Sequence, residues 1–308
     1  MTRTNLAFVF PGQGSQKVGM LAELADEFSV IKDTFTEASE ALSYDVWDLV
    51  QNGEQEQLNL TERTQPILLT ASVALWRVWQ EKGGPLPAMM AGHSLGEFSA
   101  LVCAGSLKFE DAVTLVRDRG RFMQTAVPVG EGAMAAVLGL EDQQIIEICE
   151  KTGAEAVNFN SPGQVVIAGK VGAVNDAIAL LQEAGAKRAM PLPVSAPFHT
   201  SLMKPAGEKL AEKLAAITLA TPEIPVVHNV HAQTESDPEK IKTLLETQIY
   251  SPVKWTSCVA AMAAAGITIT LECGPGKVLS GLSKRIDKSL AAYNIESPDG
   301  LEKALAEI

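Results

Sequence analysis

The stretch AGHSLGE, Ala91 to Glu97, places the Ser94 hydroxyl between Gly92 and Gly96. A G-x-S-x-G spacing lets a strand turn sharply into a helix with the serine at the apex, because residues without a Cβ tolerate the close backbone crossing. Two readings compete. Ser94 is either an exposed nucleophile on a strained turn or merely the cap of a helix running from Leu95 to Gly105. Both need a strand before the turn, and AMMAGHS supplies it.

Upstream, LAFVF at 6–10 is a continuous apolar run ended by Pro11 and Gly12, the pattern of a parallel strand buried on both faces. Helical periodicity follows from about Leu21 to Ala41 and from Gln65 to Glu81. Strand, helix and strand in alternation predict an α/β fold with a parallel sheet. After Gly130 the order changes to strand (AMAAVLGL), helix (DQQIIEICEKT), strand (EAVNFN), strand (QVVIAGK), helix (VGAVNDAIALLQEAG) and strand (KRAMPLPV). That βαββαβ order predicts a small ferredoxin-like domain inserted at 129–195. The large domain, α/β-hydrolase-like, is then discontinuous, 1–128 and 196–308. Its second part reads as a helix from Leu202 to Leu214, a strand IPVVHNV, helices at 237–248 and 254–265, and a strand ITITLE. Gly274, Pro275 and Gly276 mark a turn after that strand, where α/β sheets commonly line a crevice.

The chain has 308 residues, 46% hydrophobic, and a net charge of -12 with no basic stripe, which argues against a nucleic-acid partner. The apolar run near the N-terminus is too short for a signal-peptide core. The longest apolar stretch, CVAAMAAAGITITL, is broken by Gly266 and falls short of the roughly 20 residues of a membrane span. Cys103, Cys149, Cys258 and Cys273 stand singly without C-x-x-C spacing, as reduced core thiols of a cytoplasmic protein would.

A serine hydroxyl needs a base, and the chain offers four histidines. His93 adjoins Ser94 and is expected to point the opposite way; His228 and His231, in or after a strand, read as structural. His199, in VSAPFHTSLM, follows the return from the insert, where a loop can hold it over the crevice. An ordinary α/β-hydrolase would supply an Asp or Glu after the serine and then a histidine near the C-terminus, and no histidine follows 231 here. A Ser-His dyad remains, with another acceptor such as a backbone carbonyl fixing the imidazole tautomer.

In the helix FEDAVTLVRDRGRFMQ, positions 112, 116, 119 and 123 share one face, so Arg119 interrupts an apolar stripe while Arg117 and Arg121 point to solvent. Arg119 is either a structural ion pair or a planar, two-toothed clamp for a substrate carboxylate. PGQGSQ at 11–16 resembles a phosphate loop but fails both templates: G-x-G-x-x-G needs glycine at 17, where Lys17 stands, and no G-K-[ST] follows. Its backbone N–H groups and Gln13, set beside the serine turn, fit an oxyanion hole; a plain strand-to-helix turn is the other reading.

Taken together, FVFPGQGSQ (8–16), TQP (64–66), GHSLGE (92–97), RG (119–120), NFNSPGQ (158–164), His199, QIYSPVKW (248–255) and GPGKVL (274–279) resemble the malonyl-CoA:acyl carrier protein transacylases of bacterial fatty-acid synthesis over essentially the whole chain. The resemblance implies Ser94 as nucleophile and His199 as base. It implies Gln13 and the Leu95 backbone N–H as oxyanion hole, Arg119 on the free malonyl carboxylate, and the Gln248 main-chain carbonyl orienting His199. Gln65 would line the acyl pocket, with Asn158 and Asn160 facing the cleft from the insert. Phe198 resembles the phenylalanine of malonyl-selective domains in modular synthases. The implied partners are malonyl-CoA and acyl carrier protein; no metal or cofactor is implied, coenzyme A entering as the substrate thioester. Carrier protein is acidic, so docking on this acidic chain calls for a local basic patch, Lys187 and Arg188 or Lys284, Arg285 and Lys288. Two alternatives use the same residues differently: a serine esterase or thioesterase passing the acyl group to water, and a coenzyme A or carrier-protein binding module with no chemistry.

Overall fold

β1 (Thr2–Phe10) is buried completely from Leu6 to Phe10, as the unbroken apolar run requires of a strand covered on both faces. In the computed structural model, which describes residues 2–194 and 196–308, it lies at the centre of a sheet ordered β7-β2-β1-β8-β9. The other strands are β2 (Leu86–Gly92), β7 (Val226–Val227), β8 (Ile269–Glu272) and β9 (Ala291–Asn294), and every neighbouring pair is parallel. The C-terminal ends of β1, β2 and β8 therefore open on one edge of the sheet, leading into the 11–16 loop, the serine turn and the Gly274–Gly276 turn.

Between β1 and β2 the chain forms α1 (Ala22–Glu27), α2 (Ser29–Leu42), α3 (Val46–Asn52), α4 (Gln55–Leu58) and α5 (Thr61–Glu81). The single helix expected over 21–41 is broken at Phe28, whose extended backbone ends α1 and starts α2. After β2 come α6 (Leu95–Cys103) and α7 (Phe109–Thr125).

A second, antiparallel sheet follows, ordered β4-β5-β3-β6, with its own apolar core. It is made of β3 (Gly132–Leu138), α8 (Asp142–Thr152), β4 (Glu155–Ser161), β5 (Gln164–Lys170), α9 (Val171–Glu183) and β6 (Arg188–Pro191). The expected end of the insert, residue 195, lies outside the described residues. Edge strand β4 is stitched to the rest of the protein: Phe159 N donates to Val253 O at 3.0 Å and Val253 N to Val157 O at 2.8 Å. These bonds hold Asn158 and its neighbours against the segment around Val253.

The remainder comprises α10 (Lys204–Ala215), β7, α11 (Pro238–Ile249), α12 (Trp255–Ala264), β8, α13 (Val278–Ile286), β9 and α14 (Pro298–Glu307). The strand expected over IPVVHNV shrinks to the two residues of β7. His228 and Asn229 leave the ladder because their polar groups turn to Glu97. Among the described residues, no helix is long and apolar enough to cross a membrane.

Candidate active site

The turn between β2 and α6 is as tight as two glycines permit. A Cβ on Gly92 would stand 1.8 Å from Gly96 C, and one on Gly96 would stand 2.0 Å from Phe10 O. Ser94 between them has φ 51° and ψ -107°, a region L-residues avoid. Its hydroxyl makes no cap bond to α6, so the helix-cap reading is wrong. Instead Oγ lies 2.8 Å from His199 Nε2.

His199 also has a positive φ, 63°, and is buried on the loop that returns from the second sheet. Its Nδ1 lies 2.8 Å from the Gln248 main-chain oxygen at the end of α11. A carbonyl only accepts, so the proton sits on Nδ1 and the Nε2 lone pair faces Ser94. Burial, with the nearby Arg119 charge adding to it, lowers the imidazole to about 3, so it is a neutral acceptor at neutral pH.

Arg119, on α7, is 1% exposed. Its Nη1 donates to Gln65 Oε1 at 2.7 Å, and its Nη2 donates to Gln248 Oε1 at 2.8 Å and to Ser94 Oγ at 3.1 Å. The guanidinium also lies over the Phe98 ring, 5.1 Å from its centroid. These partners are neutral, which disfavours the structural ion pair. Burial lowers the guanidinium to about 9, opposed by the charge of Glu97. Arg117 and Arg121 lie off this face and pair with Asp118.

A cavity of about 130 Å³ joins these groups, with Ser94, Leu95, Arg119, Gln65 and His199 in its wall. Gln13 lies at its rim, its side chain 3.4 Å from Thr61 Oγ1. The Leu95 N–H begins α6 there, so both expected oxyanion donors border the space in front of Ser94. Met134 and Asn158 come from the second sheet, and Leu192, Val194 and Phe198 line the cavity from the segment that follows β6. Asn160 does not reach the cavity wall; its Oδ1 lies 2.8 Å from His93 Nε2. That contact, with the Trp255 ring 5.7 Å away, holds the His93 ring without engaging the Ser94 hydroxyl and ties the serine turn to β4.

Sequence reading missed the layer beneath. Glu97, His228 and Asn229 are buried and bonded to one another, and the Gln248 side chain joins them. The missed signal was a lone acid in the apolar helix LGEFSALVC, the same kind of interruption that singled out Arg119.

A family model described as an acyl transferase domain matches residues 7–295. A malonyl CoA-acyl carrier protein transacylase of Salmonella typhimurium is 56% identical over 99% of this chain and 100% of its own length. One of Bacillus subtilis is 45% identical over 98% of this chain and 96% of its own. Among solved structures, a malonyl-CoA:acyl carrier protein transacylase of Xanthomonas oryzae superposes with a TM-score of 0.98 at 53% identity, covering 99% of both chains. A type II polyketide synthase acyl-carrier protein in complex with its malonyl-transacylase gives 0.97 at 52% identity, covering 99% of this chain and 100% of that one.

Proposed function

We infer function from one premise: this chain belongs to the acyl transferase domain family. It transfers the malonyl group from malonyl-CoA to the phosphopantetheine thiol of an acyl carrier protein through a malonyl-serine intermediate. The observation that carries this reading is Ser94 Oγ set between His199 Nε2 at 2.8 Å and Arg119 Nη2 at 3.1 Å. One neighbour can take the hydroxyl proton while the other awaits an anion.

In the first half-reaction His199 Nε2 takes the Ser94 proton as Oγ attacks the thioester carbonyl. The oxyanion forms against the Leu95 N–H and the Gln13 segment. The C–S bond then breaks, and the imidazolium returns its proton to the coenzyme A sulfur. In the second half, the carrier thiol gives its proton to His199 and attacks the serine ester; the C–O bond breaks and Oγ is reprotonated. Gln248 O holds the imidazole in the tautomer both halves need. Arg119, steadied by Gln65, binds the malonyl carboxylate, and Phe198 and Asn158 bound the acyl space. The activated acyl group arrives as a thioester, so the exchange as drawn calls on no further cofactor.

The strand order β4-β5-β3-β6 and its antiparallel pairing support a ferredoxin-like insert at 129–195, with 1–128 and 196–308 forming an α/β-hydrolase-like body. The four cysteines are free and buried, which supports a reducing compartment, the cytoplasm. Two basic clusters converge at one end of the second sheet. Arg188 pairs with Leu138 and Leu138 with Gln164, whose Oε1 accepts from Arg285 Nη1 at 2.8 Å. Exposed Lys187, Arg188, Lys284 and Arg285 thus support a single docking patch for the acidic carrier protein.

Incubation with malonyl-CoA, followed by intact mass measurement and product analysis, tests the transfer. A malonyl adduct on the protein that passes to carrier protein is expected. Free malonate as the main product in the presence of carrier protein means a thioesterase, and no adduct means a binding module.

A further inference from the structure

Beneath Ser94 lies a buried polar cluster that the two half-reactions do not use. Glu97, in the first turn of α6, is wholly buried, and both its oxygens face nitrogen. Oε1 lies 2.7 Å from His228 Nδ1, while Oε2 accepts from Asn229 N at 2.9 Å and Gln248 Nε2 at 3.0 Å. Accepting at both oxygens is the bonding pattern of a carboxylate. It fixes which way the Gln248 amide points. The NH2 end must face Glu97, so Oε1 faces the other way and accepts from Arg119 Nη2 at 2.8 Å.

One carboxamide therefore links a buried anion to a buried cation. Asn229 extends the cluster to the nucleophile: its Oδ1 accepts from Ser94 N at 2.8 Å and its Nδ2 donates to Gly92 O at 2.7 Å. Around the guanidinium stand Gln65 from α5, Glu97 and Phe98 from α6, Gln248 from α11, and the His199 loop. Glu97 brings the negative charge to that set.

We propose that Glu97 is a positioning residue and the counter-charge of Arg119, acting through the Gln248 carboxamide to keep the guanidinium cationic and aimed at the acyl pocket. Its charge thereby sets how strongly the site prefers acyl thioesters with a free carboxylate over neutral ones. The physical need is plain: burial opposes the charged form of Arg119, and Glu97 opposes that effect. The inference rests on Arg119 being the carboxylate clamp.

Glu97→Gln removes the charge and little else. The new amide oxygen can still accept from Asn229 and Gln248, and its NH2 can donate to His228 Nδ1 once that ring moves its proton to Nε2, which has no hydrogen-bond partner. Rates of acyl-serine formation from malonyl-CoA and acetyl-CoA are compared on the full chain between about pH 7 and 9.5, either side of the value of about 9 to which burial lowers Arg119. The ratio of the two rates cancels effects on Ser94 or His199 that both donors share. In Glu97→Gln the ratio at high pH is expected to fall at least about tenfold, its alkaline midpoint moving down by about one pH unit or more. Glu97→Asp, which keeps the charge, is expected to restore the midpoint.

Equal loss with both donors, or an unmoved midpoint, overturns the inference. If Glu97→Gln does not fold, Gln248→Met cuts the same link while leaving the main-chain carbonyl on His199. The same selective loss is expected there, and equal loss with both donors overturns the inference. Arg119→Ala separates the two levels. Equal loss there refutes the clamp itself, whereas selective loss there with an unselective Glu97→Gln refutes only the counter-charge.

Discussion

Arg119 Nη2 donates to the Ser94 hydroxyl across 3.1 Å, so the buried cation touches the nucleophile itself. The hydroxyl accepts from the guanidinium and lies 2.8 Å from His199 Nε2 at the same time, so a substrate carboxylate can take over the Nη2 donor without disturbing the bond to His199. A neutral acyl group leaves the guanidinium without an anion, at a cost on the order of 1 to 3 kcal/mol. Arg119→Ala is expected to lower kcat/KM for malonyl-CoA by roughly 10- to 100-fold, with acetyl-CoA changed far less. Adduct formation from both donors measures it, and parallel loss would mark a structural arginine.

Ser94→Ala is expected to abolish the malonyl adduct while leaving the fold intact, since the Ser94 side chain makes no helix cap. Intact mass spectrometry reads the adduct and circular dichroism reads the fold. An adduct of undiminished occupancy on the variant would place the nucleophile elsewhere.

The depressed pKa of His199 has a sign. Folded, the imidazole is held at about 3, below its ordinary 6.5, by burial and then by Arg119. Between these values the unfolded chain binds a proton that the folded chain does not, so stability falls as pH falls through that window. One such proton contributes a slope of up to roughly 1 kcal/mol per pH unit. Denaturant titrations from pH 7 to about 4.5 are expected to show a shallower loss for His199→Ala than for the unaltered chain. Parallel curves would mean that His199 titrates normally.

Gly96→Ala tests the turn. The added methyl would meet the Phe10 carbonyl oxygen at 2.0 Å, and neither the end of β1 nor the start of α6 can withdraw. Destabilisation of about 3 kcal/mol or more is expected, read as a fall in Tm. An unchanged Tm would show a looser crossing than the structure has.

Charge reversal at Arg188 and Arg285 is expected to raise the KM for carrier protein by roughly fivefold or more, with the effect shrinking as salt is added. Steady-state kinetics at two ionic strengths checks this. A salt-independent KM would move the docking surface elsewhere.

Much of this architecture was legible in the residues. The run at 6–10 could only be a strand covered on both faces, and the change of pattern after Gly130 foretold the second sheet. The short elements were not legible. α3 and α4 are single-turn or two-turn helices without a long stripe, and β9 is half-buried and four residues long. At the site, Ser94 and Arg119 stood out because each breaks a local rule. Asn229 and the Gln248 side chain break none; polar residues near element ends are ordinary until tertiary contacts reveal what they hold. The partner of His93 was hidden for a related reason, since Asn160 comes from the distant β4.

β6 ends at Pro191, and the chain passes Leu192 and Val194 in the cavity wall before it delivers Phe198 and His199. The small sheet and His199 are thus joined by one short tether. Recombination between relatives that exchanged this sheet would transplant one side of the acyl chamber while leaving Ser94, Arg119 and Gln248 in the recipient. Such chimaeras offer a route to altered acyl choice, provided the downstream splice preserves the tether's length. A slip of one residue there would swing the imidazole away from its hydroxyl.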